Sequence, residues 1–364
     1  MKVKFLFGAI FVISVFLIPL LALRYSPPEG AHPAAVGSAS AHINSRTAKT
    51  ANEAYSTPKT ESTPIISVDG TSEYGVDSFK ILDRTTGKIA IVSLRDYVRG
   101  AVASEMPAAF HPEALKAQAV AAHTYALYNY YQQQRSPDPA LKGADFSADL
   151  SRREGYITEQ TAREFYGEAY ADFYWDKICT AADEVLQYIM EHDGEPIVAA
   201  YHAISAGQTE DSGNVWRSSV PYLAPAESIG CVFAPDYETV TKLTVDEARR
   251  LLLAKLPQLD FSAPPEDWFY ILERSDSGYV TQIEVAGEIL HGKDIREALG
   301  LRSHCLELDY AGNVFTFTVW GHGHGVGLSQ YGADFMARQG STFEEILQNY
   351  YSGVVIKKAS SQSR

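Results

Sequence analysis

Three short stretches of the sequence carry side chains that could do chemistry. Glu105 lies in the run Ala-Ser-Glu-Met-Pro at residues 103–107. Residues 201–210 begin with Tyr-His and continue into Ser-Ala-Gly-Gln-Thr-Glu, and residues 320–332 alternate glycine with histidine before Ser-Gln-Tyr. A carboxyl group can exchange a proton with a substrate, whereas imidazole, hydroxyl and amide groups hold one by hydrogen bonds. We therefore ask which elements position these groups.

Glu105 falls on the apolar face of a predicted helix. Ser93 to Asp96 predicts an N-terminal capping box, and the apolar positions then run through Val98 and Ala101 to Glu105. Pro107 ends the helix, so Glu105 lies in its last turn. The negative end of the helix dipole there, together with partial burial, would raise the pKa of the carboxyl group. A solvent-facing carboxylate at a helix end is the simpler interpretation, and periodicity alone favours it.

A second helix is predicted directly afterwards, opened by His111-Pro112. Small residues on one face form a seam that lets another element approach closely. The other faces carry Gln118 and His123.

The remaining pattern predicts an α+β fold with mostly antiparallel strands in two lobes, about 66–235 and 236–358. It includes one helix over 158–175, a buried strand over 196–201 that ends in the polar stretch, and a helix capped at Thr244. The glycines at 321, 323, 325 and 327 have no side chains to pack in a core strand, so they indicate close approach of the backbone to a ligand or to another segment.

The composition excludes some classes of partner. A net charge of −14 without a long basic run argues against nucleic acid and against tight docking on anionic lipid. A neutral or polar substrate fits better, and the 22 tyrosines and 4 tryptophans are compatible with a carbohydrate.

The amino terminus predicts a membrane anchor. Residues 5–23 are uncharged and almost wholly apolar, and the two lysines within residues 1–4 place that short tail in the cytoplasm. No small-x-small cleavage site is obvious after Leu23, so we expect a retained signal anchor, with a cleaved signal peptide as the alternative. We further expect a flexible tether over 24–65, an extracytoplasmic catalytic domain over 66–358 and a short tail over 359–364.

Other chemistries lack their sequence signals. His202, His322, His324 and Cys231 suggest metal ligands, but there is no His-Glu-x-x-His and no close pairing of cysteine with histidine, so we expect no metal and no cofactor. No serine sits in a Gly-x-Ser-x-Gly elbow. The three cysteines are compatible with one disulfide and a free thiol, or with three buried thiols.

Three motifs together carry a resemblance. Residues 103–107 are followed by Glu-Ala-Leu-Lys-Ala-Gln-Ala-Val-Ala-Ala at 113–122, then by the stretch at 201–210, then by Gly-His-Gly-Val-Gly-Leu-Ser-Gln-Tyr-Gly-Ala at 323–333. In this order they closely resemble the stage II sporulation protein D family. The resemblance spans most of residues 66–356.

The resemblance implies a membrane-anchored lytic transglycosylase of peptidoglycan. It would act in the engulfment step of sporulation, facing the space between mother cell and forespore, on glycan strands whose stem peptides an amidase has removed. The family's catalytic acid corresponds to Glu105. Protonated, it would donate to the glycosidic oxygen between N-acetylmuramic acid and N-acetylglucosamine; ionised, it would take the proton of the muramyl 6-hydroxyl as that oxygen attacks C1. The product would be a 1,6-anhydromuramyl end.

The resemblance also implies a substrate groove and partners. The partners would be a cell-wall amidase and a membrane scaffold of the engulfment machinery. The expected substrate-binding residues are Gln118, His123, Tyr201, His202, Ser205, His324, Ser329, Gln330 and Tyr331.

Two positions depart from the family pattern. His123 replaces the usual arginine, so a fixed charge is exchanged for one that titrates near neutrality. Val-Leu-Gln at 185–187 replaces the usual Thr-x-Gly, which indicates altered packing. The alternative function is a glycan-binding enhancer of an amidase that does not cut.

Overall fold

The computed structural model describes residues 75–216 and 218–358. The predicted cytoplasmic tail, anchor, tether and C-terminal tail, at 1–4, 5–23, 24–65 and 359–364, lie outside these residues. Within the described ranges, no helix is both long and apolar enough to cross a membrane.

The described residues form both α-helices and β-strands. The helices are α1 Leu94–Glu105, α2 Pro112–Arg135, α3 Glu159–Tyr166, α4 Ala171–Glu184, α5 Ser212–Val215, α6 Val245–Lys255, α7 Gly292–Leu299, α8 Gln330–Arg338 and α9 Phe343–Tyr350. The strands are β1 Ser78–Asp83, β2 Ile89–Ser93, β3 Phe146–Ala148, β4 Tyr188–His192, β5 Glu195–Pro196, β6 Tyr201–His202, β7 Glu238–Thr244, β8 Phe269–Arg274, β9 Val280–Val285, β10 Glu288–His291, β11 Cys305–Ala311, β12 Val314–Trp320, β13 Leu328–Ser329 and β14 Val355–Lys358.

The strands form small sheets, which confirms the α+β class. Their orders are β2-β1-β3, β10-β9-β8, β11-β12-β7, β13-β6 and β14-β4-β5. Pairing is antiparallel except between β1 and β3 and between β6 and β13. The last pair matters for function, because it joins the two polar stretches singled out in the sequence.

Two hydrophobic clusters divide the described chain. The first contains buried residues between Val76 and Leu223 and again from Val326 to Tyr351. The second lies within Ala248 to Val319. The expected lobe of 236–358 is therefore corrected at its end: the closing helices α8 and α9 pack on α2 in the first cluster, because their apolar faces complete that larger core.

Some predicted elements differ from those observed. The single helix expected over 158–175 is two helices, because Gly167 ends α3 at a φ of +74° that a helix cannot accommodate. The buried strand expected over 196–201 pairs only at its two ends, as β5 and β6. The capping box at Thr244 is confirmed, with Glu247 as its carboxylate.

The four alternating glycines pack against another segment of the chain, one of the two alternatives that the sequence left open. All four have positive φ, between +71° and +116°. A Cβ atom on Gly323 would lie 2.7 Å from the Cβ of His202, and one on Gly327 would lie 2.1 Å from the carbonyl oxygen of Ala200. Only glycine permits this backbone contact.

Candidate active site

Glu105 ends helix α1 with its side chain inside the protein. Ser93 caps the helix by accepting a hydrogen bond from the amide of Asp96, and Glu105 is 3% exposed. Its Oε1 accepts a hydrogen bond from the amide of Gly155 at 2.9 Å, whereas its Oε2 is buried without a partner among the described residues. The interpretation of Glu105 as a solvent-facing carboxylate is therefore wrong.

Burial raises the pKa of Glu105 from 4.5 to about 7. Desolvation is the largest cause, the hydrogen bond from Gly155 opposes it, and the negative charge of Glu154 adds to it. A carboxyl group with a pKa near neutrality can act both as a proton donor and as a proton acceptor at physiological pH.

Tyrosine side chains line the surroundings of this carboxyl group. The charge of Glu105 raises the pKa of Tyr97 and that of Tyr201, in each case after burial as the larger cause. Tyr97 stacks on Tyr156, with ring centroids 6.1 Å apart. Tyr201 is the first residue of β6, so the structure brings one expected substrate-binding residue within electrostatic range of the acid.

A turn at residues 149–156 lies against Glu105. Asp149 accepts hydrogen bonds from the amides of Ser151 and Arg152, and Arg84 pairs with Glu154 at 3.0 Å. These bonds hold the turn so that the amide of Gly155 reaches the carboxyl group. The sequence analysis missed this turn, because fifty positions separate the two partners and no local pattern links them.

Gln118 and Gln330 meet in the core. Gln330 Nε2 donates to Gln118 Oε1 at 3.4 Å, and Gln118 Nε2 has no partner among the described residues. Next to them, Tyr331 packs edge-on against Phe110 at 4.9 Å. The second helix and the closing motif are thus joined, as a shared site would require.

His202 and His324 also come together, with ring centroids 5.6 Å apart. His202 Nδ1 lies 3.1 Å from the carbonyl oxygen of Val326, and the amide of Val326 donates to His324 Nδ1 at 3.1 Å. Trp216 packs against His324 at 5.6 Å. Burial lowers the pKa of His202 to about 3, so this imidazole is neutral at physiological pH.

Ser205 and Ser329 serve the fold in this structure. The Ser329 hydroxyl accepts from the amide of Ser205 at 3.1 Å, and both hydroxyls contact the buried thiol of Cys231. Neither serine is exposed. Their expected contact with substrate stays a prediction. In this structure both hydroxyls lie against the Cys231 thiol, which joins residues 205 and 329 to residues 229–233.

His123 is buried beside the first residue of β4 and the residues before it. It is 2% exposed, and its nearest polar neighbours are backbone groups of Leu186 and Tyr188, which do not reach well-formed hydrogen bonds with the ring. Burial lowers its pKa to about 4, so the expectation that it titrates near neutrality is wrong. The family's Thr-x-Gly departure at 185–187 falls against this same histidine.

The cysteines and possible metal ligands can also be placed. Cys179, Cys231 and Cys305 are free thiols. Within 75–216 and 218–358, no three His, Cys, Asp or Glu side chains converge in a way that could hold a metal ion.

The fold and the site define an α+β protein in which Glu105, at the end of α1, is a buried carboxyl group with a raised pKa. A sequence model described as "Stage II sporulation protein" matches residues 83–192. The chain is 32% identical over 359 residues to Stage II sporulation protein D of Bacillus amyloliquefaciens, covering 99% of this chain and 96% of that protein. It is 36% identical over 268 residues to the protein of the same name from Bacillus subtilis (strain 168), covering 74% and 75%.

The chain therefore belongs to the stage II sporulation protein D family. It is also similar to a Bacillus subtilis (strain 168) protein named "Amidase enhancer", with 25% identity over 313 residues that cover 71% of this chain and 40% of that protein.

Proposed function

We propose that this chain is a peptidoglycan lytic transglycosylase that acts on peptide-stripped glycan strands during sporulation. The observation that carries the proposal is the state of Glu105. One carboxyl oxygen is fixed by the amide of Gly155, the other has no partner among the described residues, and the pKa is about 7. This is the arrangement that a single group needs to donate a proton and then accept one.

Glu105 would perform both proton transfers. The protonated Oε2 donates to the glycosidic oxygen as the bond from that oxygen to C1 of the muramyl residue breaks. The resulting carboxylate takes the proton of the muramyl 6-hydroxyl while O6 bonds to C1. No water is consumed, and the acid returns to its protonated state with a 1,6-anhydromuramyl product.

A hydrolase would need a second group to activate water or attack the sugar. Glu154 is the carboxylate that acts electrostatically on Glu105, but it is paired with Arg84 at 3.0 Å. Its position in an ion pair supports an electrostatic role over a nucleophilic one.

Access of a sugar to Glu105 requires movement. Because the side chain is 3% exposed, groups around it must shift before a glycosidic oxygen reaches Oε2. We propose that the moving part is the turn at 149–156, whose Gly155 bonds the other carboxyl oxygen. Displacement of this turn removes the hydrogen bond from Gly155 that stabilises the ionised form, which keeps the acid protonated for its first step.

The cellular setting is part of the proposal. We infer an anchor at residues 5–23 and a catalytic domain outside the cytoplasm, in the space between mother cell and forespore. The expected partners are a cell-wall amidase, which supplies the peptide-stripped strands, and a membrane scaffold of the engulfment machinery.

Product analysis tests the activity. The protein, incubated with peptide-stripped peptidoglycan, should release disaccharides with anhydro ends, which differ by one water from the reducing ends of a hydrolase. Glu105→Gln should abolish release while leaving the circular dichroism spectrum unchanged. Turnover by Glu105→Gln at the wild-type rate would refute the role of this residue.

The alternative is an enhancer of an amidase that binds glycan without cutting it. The relative named "Amidase enhancer" and the burial of Glu105 favour this alternative. An enhancer should release no anhydro ends but should accelerate a purified cell-wall amidase, equally with or without Glu105→Gln.

A further inference from the structure

A ring of contacts links the glycine-rich residues 321–327 with helix α7. Lys293 Nζ donates to the carbonyl of Val215 at 2.6 Å. The next residue, Trp216, packs on His324, and His324 packs on His202, each at 5.6 Å. One side of the ring is therefore formed by the indole of Trp216 and the imidazoles of His324 and His202.

The other side of the ring is cationic. The amide of Gly323 and the Nε of Arg296 both donate to the carbonyl of Arg302, at 2.9 and 3.1 Å. Arg296 follows Lys293 by three residues on α7, so both side chains lie on the same face of this helix. Helix α7 therefore connects the two ends of this series of contacts into a ring. We name the following residues the cationic ring: Lys293, Arg296, Arg302, His202, His304 and His324.

Positive charge dominates this ring. The pKa of His304 is lowered to about 3, chiefly by burial, with the charges of Arg296 and Lys293 acting in the same direction. Burial and Arg296 act in the same direction on His202. The histidines are thus neutral, and the charge comes from Lys293, Arg296 and Arg302. The charges of Arg302 and Arg296 both act on His322, which in turn acts on His202, and Glu297 is the carboxylate that acts on Arg296. In a chain of net charge −14, such a site attracts anions.

The ring also offers a donor and an acceptor that the described residues do not engage. Arg302 Nε is buried without a partner in that part of the chain and can donate. His202 bonds the carbonyl of Val326 through Nδ1, so its proton lies there and its unpartnered Nε2 is an acceptor. Lys293, Arg296 and Arg302 remain partly exposed, which leaves the ring open to solvent on that side.

A donor, an acceptor and a positive charge suit a ligand that carries both a carboxylate and a hydroxyl. We propose that the cationic ring binds the lactyl carboxylate that a muramyl residue exposes once its stem peptide has been removed. In peptide-bearing glycan this group is a neutral amide with a bulky substituent, so the ring would select stripped strands. The inference rests on the proposed function, because it takes the glycan as the ligand.

The position of the ring fits this role. His202 follows Tyr201, whose pKa is raised by burial and by the charge of Glu105. The two residues of β6 thus connect the surroundings of the acid, through Tyr201, to the ring, through His202.

A binding experiment tests the ring apart from catalysis. Full-length Glu105→Gln protein, which should not consume the ligand, is titrated with peptide-stripped glycan and with the same glycan after its carboxylates are converted to primary amides. We expect affinity for the amidated glycan to be about tenfold lower, which corresponds to about 1.4 kcal/mol. Adding Arg302→Gln should lower affinity for the stripped glycan by about tenfold and leave affinity for the amidated glycan unchanged.

Arg250→Gln is the matched control, because Arg250 is exposed in the same lobe and outside the ring. Lys293→Gln replaces Arg302→Gln if the latter fails to fold. Equal affinity for the two glycans, or equal losses on both with the ring variants, would overturn the proposal. Absence of anhydro products from the wild-type protein would refute the proposed transglycosylase activity. The titration would still show whether the cationic ring binds the carboxylate, because it does not depend on turnover.

Discussion

Replacing Glu105 by glutamine should make the folding stability less dependent on pH. The pKa of this carboxyl group rises from 4.5 to about 7 on folding because the ionised form loses its hydration. The unfolded chain therefore releases its proton at lower pH than the folded chain does. The wild-type protein loses stability as the pH rises from about 4.5 to about 7, and the loss is complete above the folded pKa.

The size of the effect follows from the two pKa values. A rise from 4.5 to about 7 corresponds to about 3 kcal/mol of unfolding free energy at pH 8. The glutamine of the variant keeps the shape of the side chain and can still accept from Gly155, but it cannot ionise. The difference in unfolding free energy between the variant and the wild type should thus change by about 3 kcal/mol in favour of the variant as the pH rises from 4.5 to 8. Any difference that does not depend on pH adds a constant to this value.

Urea unfolding at intervals from pH 4.5 to pH 8.5 measures this difference. Glu288→Gln is the matched control, because Glu288 is exposed on the edge strand β10 and its replacement should leave the pH dependence unchanged. Parallel curves for the wild-type and Glu105→Gln proteins across this range would refute both the burial of the ionisable group and its raised pKa.

Three further outcomes follow from the same geometry. Glu154→Gln removes a charge that raises the pKa of Glu105. The fall in kcat/KM at alkaline pH should therefore move to lower pH, while kcat is retained. Complete loss of turnover would instead indicate that Glu154 is a second catalytic carboxylate. Gly327→Ala should lower the unfolding free energy in urea by about 3 kcal/mol or more, because the new Cβ would meet the carbonyl oxygen of Ala200. Gly287→Ala should lower it by about 1 kcal/mol, because Gly287 has positive φ but open space around it. Equal losses for the two variants would contradict the close approach of Gly327 to Ala200. His123→Leu should keep kcat/KM for stripped glycan within about threefold, since a buried neutral imidazole can be replaced by an apolar side chain of similar size; a loss above about tenfold in a folded variant would restore a substrate role.

Local patterns predicted much of the fold. The capping residues Ser93 and Thr244 begin helices where the sequence placed them, because a side chain that bonds an amide three residues on is a short-range feature. The division of the lobes was harder. Helices α8 and α9 follow the second lobe in sequence but pack on α2, and nothing in their own periodicity identifies the core they join.

The candidate site was predictable in its members and less so in their roles. Glu105 was singled out by type and spacing. Its pKa depends first on how completely it is buried and then on Gly155 and Glu154, and no local pattern reveals these. Ser205 and Ser329 look like ligand contacts in sequence, yet the thiol of Cys231 engages both hydroxyls. Polar residues in a glycine-rich motif can serve the fold or the ligand, and only their partners distinguish the two.

The glycines in residues 321–327 explain how the closing motif packs closely around strand β6. Gly321, Gly323 and Gly327 approach residues 200–206 at distances that a Cβ would obstruct, and Gly325 packs in the same way against the ring of Tyr279. The intervening positions place His324 against His202. Because successive residues of a strand face opposite sides, Tyr201 is left toward Glu105 while His202 enters the ring. A substitution at Gly323 should therefore disturb the ring before the acid, since its Cβ would meet that of His202 at 2.7 Å.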